Sequence, residues 1–316
     1  MVHQQHIINL IHEYENPKRI AISRRYPVLK TPLLFLRRSF RKIKNFFDVR
    51  VRYKRALEYY ECIVVRHQSV LRRTLGDSNP RLQEQKIINL QQAVNRLNGV
   101  TIPPHCIFSL WEIIGAPTYK NGYGNGMLLS NGKIVEGVGG GLCQMSNLLY
   151  WMFLHAPFKT IERFHHSLDV FPDSGRILPF GGGATIMYNF LDLKVQNISP
   201  FPLQLKLWIT ENHLKGQILS PQPLPQKFHV FEKDHYFIKR GEQYFRYNEI
   251  YKETKINGEI QKIEKITTNF APVLYPVNQE YLEKNNFTVL DFTNTEEAQE
   301  PCIPSNLESG FSRKQY

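Results

Sequence analysis

The sequence predicts an α+β protein with three parts: a mostly helical basic N-terminal region, a central domain whose buried helix packs on an antiparallel sheet, and C-terminal β-hairpins. Three observations predict this. Leu36, Phe40, Ile43 and Phe47 follow one another at spacings of four, three and four, so they share one face of a helix. Glycines from Gly115 to Gly183 punctuate short central segments in the manner of strands and turns. Asn257-Gly258 interrupts an extended pattern, which is the signature of a two-residue hairpin turn.

The N-terminal region, residues 1–99, carries the charge. The chain has 316 residues, 40 basic and 28 acidic, for a net of +12. Residues 18–55 alone hold 14 Lys or Arg and one acid, Asp48, a net of +13, so the remainder is nearly neutral. Arg37, Arg38, Arg41, Lys42 and Lys44 surround the apolar stripe. Such a basic amphipathic helix can lie on an anionic membrane, with Arg37, Arg38, Arg41 and Lys42 as contacts. The alternative is an ordinary helix with its apolar face on the core and its basic face in water. Nucleic acid is disfavoured, because no finger, RNP or helix-turn-helix signature accompanies the charge. A second helix follows Asn79-Pro80 and ends at Gly99, with Ile87, Leu90, Val94 and Leu97 as its buried stripe.

Residues 100–225 form the core domain. Gln144 to Ala156 reads as a buried helix stopped by Pro157. Two strands follow, Leu191 to Asn197 and then Leu203, Leu205, Leu207 and Ile209 in strict alternation. Residues 226–292 are a β-hairpin extension, and 293–316 a polar tail.

Composition excludes several classes. A 42% hydrophobic content with 12% aromatics excludes wholesale disorder. No stretch approaches the roughly 18 apolar residues of a membrane span. The N-terminus carries acids where a secretory signal would be basic. The expected location is therefore cytoplasmic, peripheral to the inner face of the membrane. Cys62, Cys106, Cys143 and Cys302 form no CxxC pair, and no HExxH spacing occurs, so no metal is expected. No cofactor is expected either: the glycine run lacks a Gly-Lys-Ser/Thr ending, and Leu142 breaks the GxGxxG pattern.

The chemically distinctive stretch is Gly139-Gly140-Gly141-Leu142-Cys143-Gln144-Met145-Ser146-Asn147. A cysteine in a helix's first turn feels the positive end of the dipole, which favours the thiolate. The turn's N–H groups could hold an oxyanion, and a glycine-lined cleft is expected there. His165 and His166 follow a strand-like segment and are candidate bases, with Asp169 or Asp192 to orient the imidazole. A lone cysteine is also commonly a small buried hydrophobe.

These residues resemble the VanW family. The resemblance rests on Phe108-Ser109 with Gly115, Tyr119 to Tyr123, and the block from Gly139 to Phe158. Glu162-Arg163 with His166, Ala184-Thr185, Leu191 to Asn197 and the basic leader from Ser23 to Lys42 extend it. The family is named for an accessory protein of some vancomycin-resistance gene clusters. Its domains in larger exported proteins look like cysteine-dependent L,D-transpeptidases of peptidoglycan. The resemblance thus implies Cys143 as nucleophile and His166, at the family's histidine position, as base. It implies Gln144 and Asn147 as hydrogen-bonding groups of the catalytic site, and Gly139, Gly140, Gly141, Tyr123 and Arg163 around the substrate. The implied partner is a peptidoglycan stem peptide or its precursor. Gly183 stands where many relatives carry an aspartate. Three functions remain open: a cysteine acyltransferase, a non-catalytic accessory or binding module at the inner membrane surface, and a membrane-surface or nucleic-acid-binding protein dominated by residues 18–55.

Overall fold

The structure, a computed structural model, describes residues 2–16, 26–47, 52–72, 80–130, 133–165, 168–170, 172 and 178–293. His166, Asn79, Cys302 and the polar tail beyond 293 lie outside the described residues.

The chain begins with helices α1 (Val2–Glu15) and α2 (Lys30–Phe47). Strands β1 (Lys54–Arg55) and β2 (Cys62–Val70) precede helix α3 (Pro80–Leu97). Next come β3 (Val100–Ile102), β4 (Ile107–Ser109) and the short helix α4 (Leu110–Ile114). The hairpin of β5 (Asn125–Ser130) and β6 (Lys133–Val138) then feeds helix α5 (Leu142–Leu154). Strands β7 (Phe158–Glu162), β8 (Lys194–Asn197), β9 (Leu203–Ile209) and β10 (His213–Ser220) complete the centre. The C-terminal part holds β11 (Gln226–Arg240), β12 (Gln243–Ile256), β13 (Glu259–Pro272), helix α6 (Gln279–Lys284) and β14 (Thr288–Asp291).

A five-stranded antiparallel sheet, order β1-β3-β9-β10-β2, forms the main floor. Helices α5 and α3 pack on it. α5 is apolar nearly all round, the pattern of a helix enclosed by its protein; Leu142, Met145, Leu148, Leu149, Met152 and Phe153 are all buried. α3 presents the expected stripe, with Leu90, Ala93, Val94 and Leu97 buried and Ile87 packed at its edge. The same face also buries three polar groups, Gln83, Lys86 and Asn89. A smaller sheet, β4-β8-β7, carries the other side of the core.

The C-terminal strands form a second sheet, order β13-β12-β11-β14. Asn257 and Gly258 both have positive φ, 53° and 88°, as a primed two-residue turn requires. α1 packs Ile7 and Ile11 onto Ile238, Phe245 and Tyr247 of this sheet, so the two ends of the chain share a core. Arg246 is enclosed by Phe180, Phe237 and Phe287 and pairs with Asp169 at 3.3 Å. Removing either partner would cost a buried charge-assisted bond. Among the described residues, no helix is long and apolar enough to cross a membrane.

Candidate functional site

Cys143 is the second residue of α5, whose N-cap Gly141 has φ 96° and offers no capping side chain. The thiol is half-buried against the core, with Sγ 3.9 Å from the carbonyl oxygen of Ile186. Burial pushes the thiol's pKa up. Against the expectation of a poised thiolate, desolvation disfavours the charged form here, and the contact with the Ile186 carbonyl opposes that only in part.

The glycine run does not line an open cleft. A Cβ on Gly140 would lie 2.0 Å from the Gly126 carbonyl carbon, and one on Gly141 would lie 2.0 Å from Lys86 Cγ. The turn is thus pressed against the β5–β6 hairpin and α3. Asn89 ties it there: its amide donates to the carbonyls of Gly124 (3.0 Å) and Gly140 (2.9 Å) and accepts from Gly124 N (2.8 Å). The N–H of Gly139 goes to Gly124 O, that of Gly140 to Gly137 O and that of Leu142 to Gly139 O. These donors, expected to face an oxyanion, are committed to the protein. Lys86 and Asn89 were not anticipated; their signal is that, with Gln83, they put polar residues on the buried face of the helix.

The remaining expected residues disperse around Cys143. Gln144 donates to Ser69 Oγ (2.9 Å) and Val70 O (2.8 Å) at the end of β2. Asn147 Oδ1 accepts from Ala184 N at 2.7 Å. A Cβ at Gly183 would sit 2.4 Å from that same oxygen, so glycine here makes room for the Asn147 amide. Arg163 donates to the carbonyls of Gly183 (2.9 Å) and Gly181 and lies over the Tyr150 ring. Tyr123 is buried beneath Arg96, and its hydroxyl points to Ile114 O, so it belongs to the core and not to a substrate surface.

Asp192 accepts from Ser109 Oγ (2.6 Å), Trp111 N (3.2 Å) and Leu193 N (2.8 Å), capping α4 from outside. Burial pushes its carboxyl up to about 6. Asp169, the other candidate, pairs with Arg246 and Tyr275 at the second sheet.

The structure does bring the cysteine and histidine segments to one strip of chain. Ser146 Oγ donates to Ala184 O at 2.6 Å, Asn147 holds Ala184 N, and Cys143 meets Ile186. Thr185 between them pairs with Phe164, the residue immediately before His165. His165 itself lines a cavity of about 430 Å³ against α1, with Leu10, Glu13, Tyr14, Thr268 and Phe270. That cavity contains none of the residues around Cys143. Among the described residues, no cluster of three His, Cys, Asp or Glu side chains could hold a metal.

The basic helix turns its apolar stripe away from the core, against the reading of an ordinary core-facing helix, and two of the cations expected at a membrane are engaged by the protein. Arg41 makes a two-pronged pair with Glu162 (2.5 and 2.7 Å) and donates to Phe190 O (2.7 Å). Arg38 donates to Tyr188 O at 3.0 Å and lies over the Tyr188 ring. Arg37 is exposed over the Phe190 ring, and Lys42 is exposed. Arg38 and Arg41 are thus engaged by the protein itself.

The site is thus a glycine turn feeding a cysteine-bearing buried helix on an antiparallel floor. Residues 85–219 match the family described as VanW like protein. The chain is 30% identical over 197 residues to the vancomycin B-type resistance protein VanW of Enterococcus faecalis, which covers 62% of this chain and 72% of that protein. It is 26% identical over 118 residues to the uncharacterized protein YoaR of Bacillus subtilis, 37% of each. No solved structure matches. The chain belongs to the VanW family.

Proposed function

We propose that this chain acts in glycopeptide resistance, on the peptide stem of the cell wall or its precursor, as a cysteine acyltransferase of the L,D-transpeptidase kind. The process is supported by similarity to a protein named for vancomycin resistance. The reaction is supported by one observation: the Cys143 thiol abuts the 184–186 strip, and that strip pairs with Phe164 beside His165 and His166. Because burial holds the thiol protonated, a base must act during the reaction. His166 takes the S–H proton as sulfur adds to a stem-peptide carbonyl. The C–N bond then breaks, and the terminal D-amino acid leaves with that proton on its amine. A neighbouring amine then attacks the thioester carbonyl, the C–S bond breaks, and the amine's proton passes through the imidazole to the leaving sulfur, restoring the S–H.

The test pairs turnover with labelling. A stem-tetrapeptide mimic ending in an L-residue followed by a D-amino acid should lose that D-amino acid with the wild type and not with Cys143→Ser. Iodoacetamide should label Cys143 slowly at neutral pH, faster as pH rises, and more slowly in His166→Ala. Labelling only after unfolding, with no turnover, sinks the acyltransferase. A second reading then takes its place, a non-catalytic binding module. It is favoured by the packing that fills the glycine turn and by the structural bonds that occupy Gln144 and Asn147.

A further inference from the structure

We infer that α2 is an interfacial helix whose apolar stripe enters an anionic lipid bilayer while its opposite face straps it to the protein. The helix is mounted inside out. Phe35, Leu36, Phe40, Ile43 and Phe47 are 69, 62, 70, 56 and 72% exposed. At about 100° per residue, Leu36, Phe40, Ile43 and Phe47 fall within an arc of roughly 60°, about 16 Å long. Just upstream, Val28 is 87% exposed.

The opposite arc holds Arg38, Arg41 and Asn45, and all three are bonded to the protein. Asn45 is buried; its amide donates to Glu112 Oε1 at 2.7 Å and accepts from Lys194 Nζ at 2.5 Å. Asn189 Nδ2 donates to Arg38 O at 2.7 Å. Rolling the stripe inward would break the Arg41–Glu162 pair and leave buried polar groups unpartnered. The outward stripe is therefore the fixed arrangement, not a helix waiting to turn over.

The borders of the stripe name the occupant. Arg37 and Lys44 flank one side and Lys42 the other, all exposed. Apolar side chains at the centre with cations at both margins match a bilayer. The stripe reaches the acyl boundary, and the long basic side chains stay level with anionic headgroups. A second copy of the chain would set these cations against their own counterparts, in a molecule already at +12. The lipid contacts are thus Phe40 and its neighbours with Arg37, Lys42 and Lys44. Arg38 and Arg41, expected from sequence to face the membrane, point away from it. This inference stands apart from the chemistry of Cys143.

The test uses the full chain and vesicle co-sedimentation. Wild type should bind vesicles containing phosphatidylglycerol and bind phosphatidylcholine vesicles weakly. Phe40→Ser with Phe47→Ser should lower binding by about tenfold or more. Lys42→Gln with Lys44→Gln should lower it less and abolish the preference for phosphatidylglycerol. Near-ultraviolet dichroism checks each variant's fold. In Phe40→Trp, emission should shift to the blue when the anionic vesicles are added. The inference is overturned if wild type ignores anionic vesicles, or if the double Phe variant binds as well as wild type. A Phe40-dependent dimer in lipid-free sedimentation, without vesicle binding, would overturn it in favour of self-association.

Discussion

α5 and α2 are both helices rich in apolar side chains, and they are held by opposite means. α5 is enclosed, and its entry turn is fixed by backbone approach: Gly140 against Gly126, and Gly141 against Lys86. α2 leaves its apolar side in solvent and is held by its charged side, through Arg38, Arg41 and Asn45. The difference teaches that amphipathicity fixes where the two faces lie on a helix and leaves open which one turns inward. A polar face can be the buried one when partners of the right geometry await it. Glu162 is such a partner, accepting from Arg41 and from Asp192 N.

The largest effect should come from breaking the enclosure of α5. In Gly140→Ala the new methyl meets backbone atoms of Gly126 and Met127 that cannot swing aside. A loss of about 3 kcal/mol or more is expected, read as a lowered urea midpoint. Gly241→Ala is the control: φ is 59° with nothing within 4 Å, so only left-handed strain of about 1–2 kcal/mol applies. If the two substitutions cost the same, close approach is not what holds the turn.

A second effect lies where the two supports meet. Asp192 caps α4 and donates its N–H to Glu162, the anchor of α2. With its carboxyl pushed up to about 6, the folded chain holds this proton more tightly than the unfolded chain does. The group's contribution is full below the ordinary carboxylate pKa and is lost as pH rises through about 6. Between about pH 4 and pH 6 it should remove up to about 3 kcal/mol. Asp192→Asn keeps an oxygen for Trp111 and Leu193 and has no charge to desolvate. The difference in stability between wild type and variant should therefore change over that window; a constant difference would refute the assignment.

Much of this was legible in the sequence, for physical reasons. Period-2 alternation at Leu203, Leu205 and Leu207, the apolar run of α5, and Asn257-Gly258 are local signals with one structural solution each. The glycine-cysteine block located the turn and the helix start. Its surroundings were not legible, because they come from distant chain: Lys86 and Asn89 from α3, Ser69 from β2, Gly183 from a loop. Nor could pattern show that burial would push the Cys143 thiol up, since desolvation depends on what packs around the sulfur. For α2 the deciding groups, Glu162 and the 188–190 carbonyls, lie more than a hundred residues away.

The smallest effect sharpens the comparison most, because it separates neighbours on one helix. Arg41 and Lys42 are adjacent, both cationic, and equivalent in the sequence pattern. Arg41 holds Glu162 with two bonds and a backbone carbonyl with a third, at 20% side-chain exposure for each partner of the pair. Lys42 stands in solvent. Arg41→Gln should cost about 1–2 kcal/mol, since charge-assisted bonds are lost and Glu162 keeps only weaker donors. Lys42→Gln should stay within about 0.5 kcal/mol, as exposed substitutions do. Limited proteolysis between α1 and β1 should accelerate in Arg41→Gln alone, because loosening the strap frees the helix from the body. On vesicles the order should reverse, with Lys42→Gln the more damaging of the two. Equal stability losses, or the same ranking in both measurements, would mean that α2 is not divided into a protein-facing and a lipid-facing side.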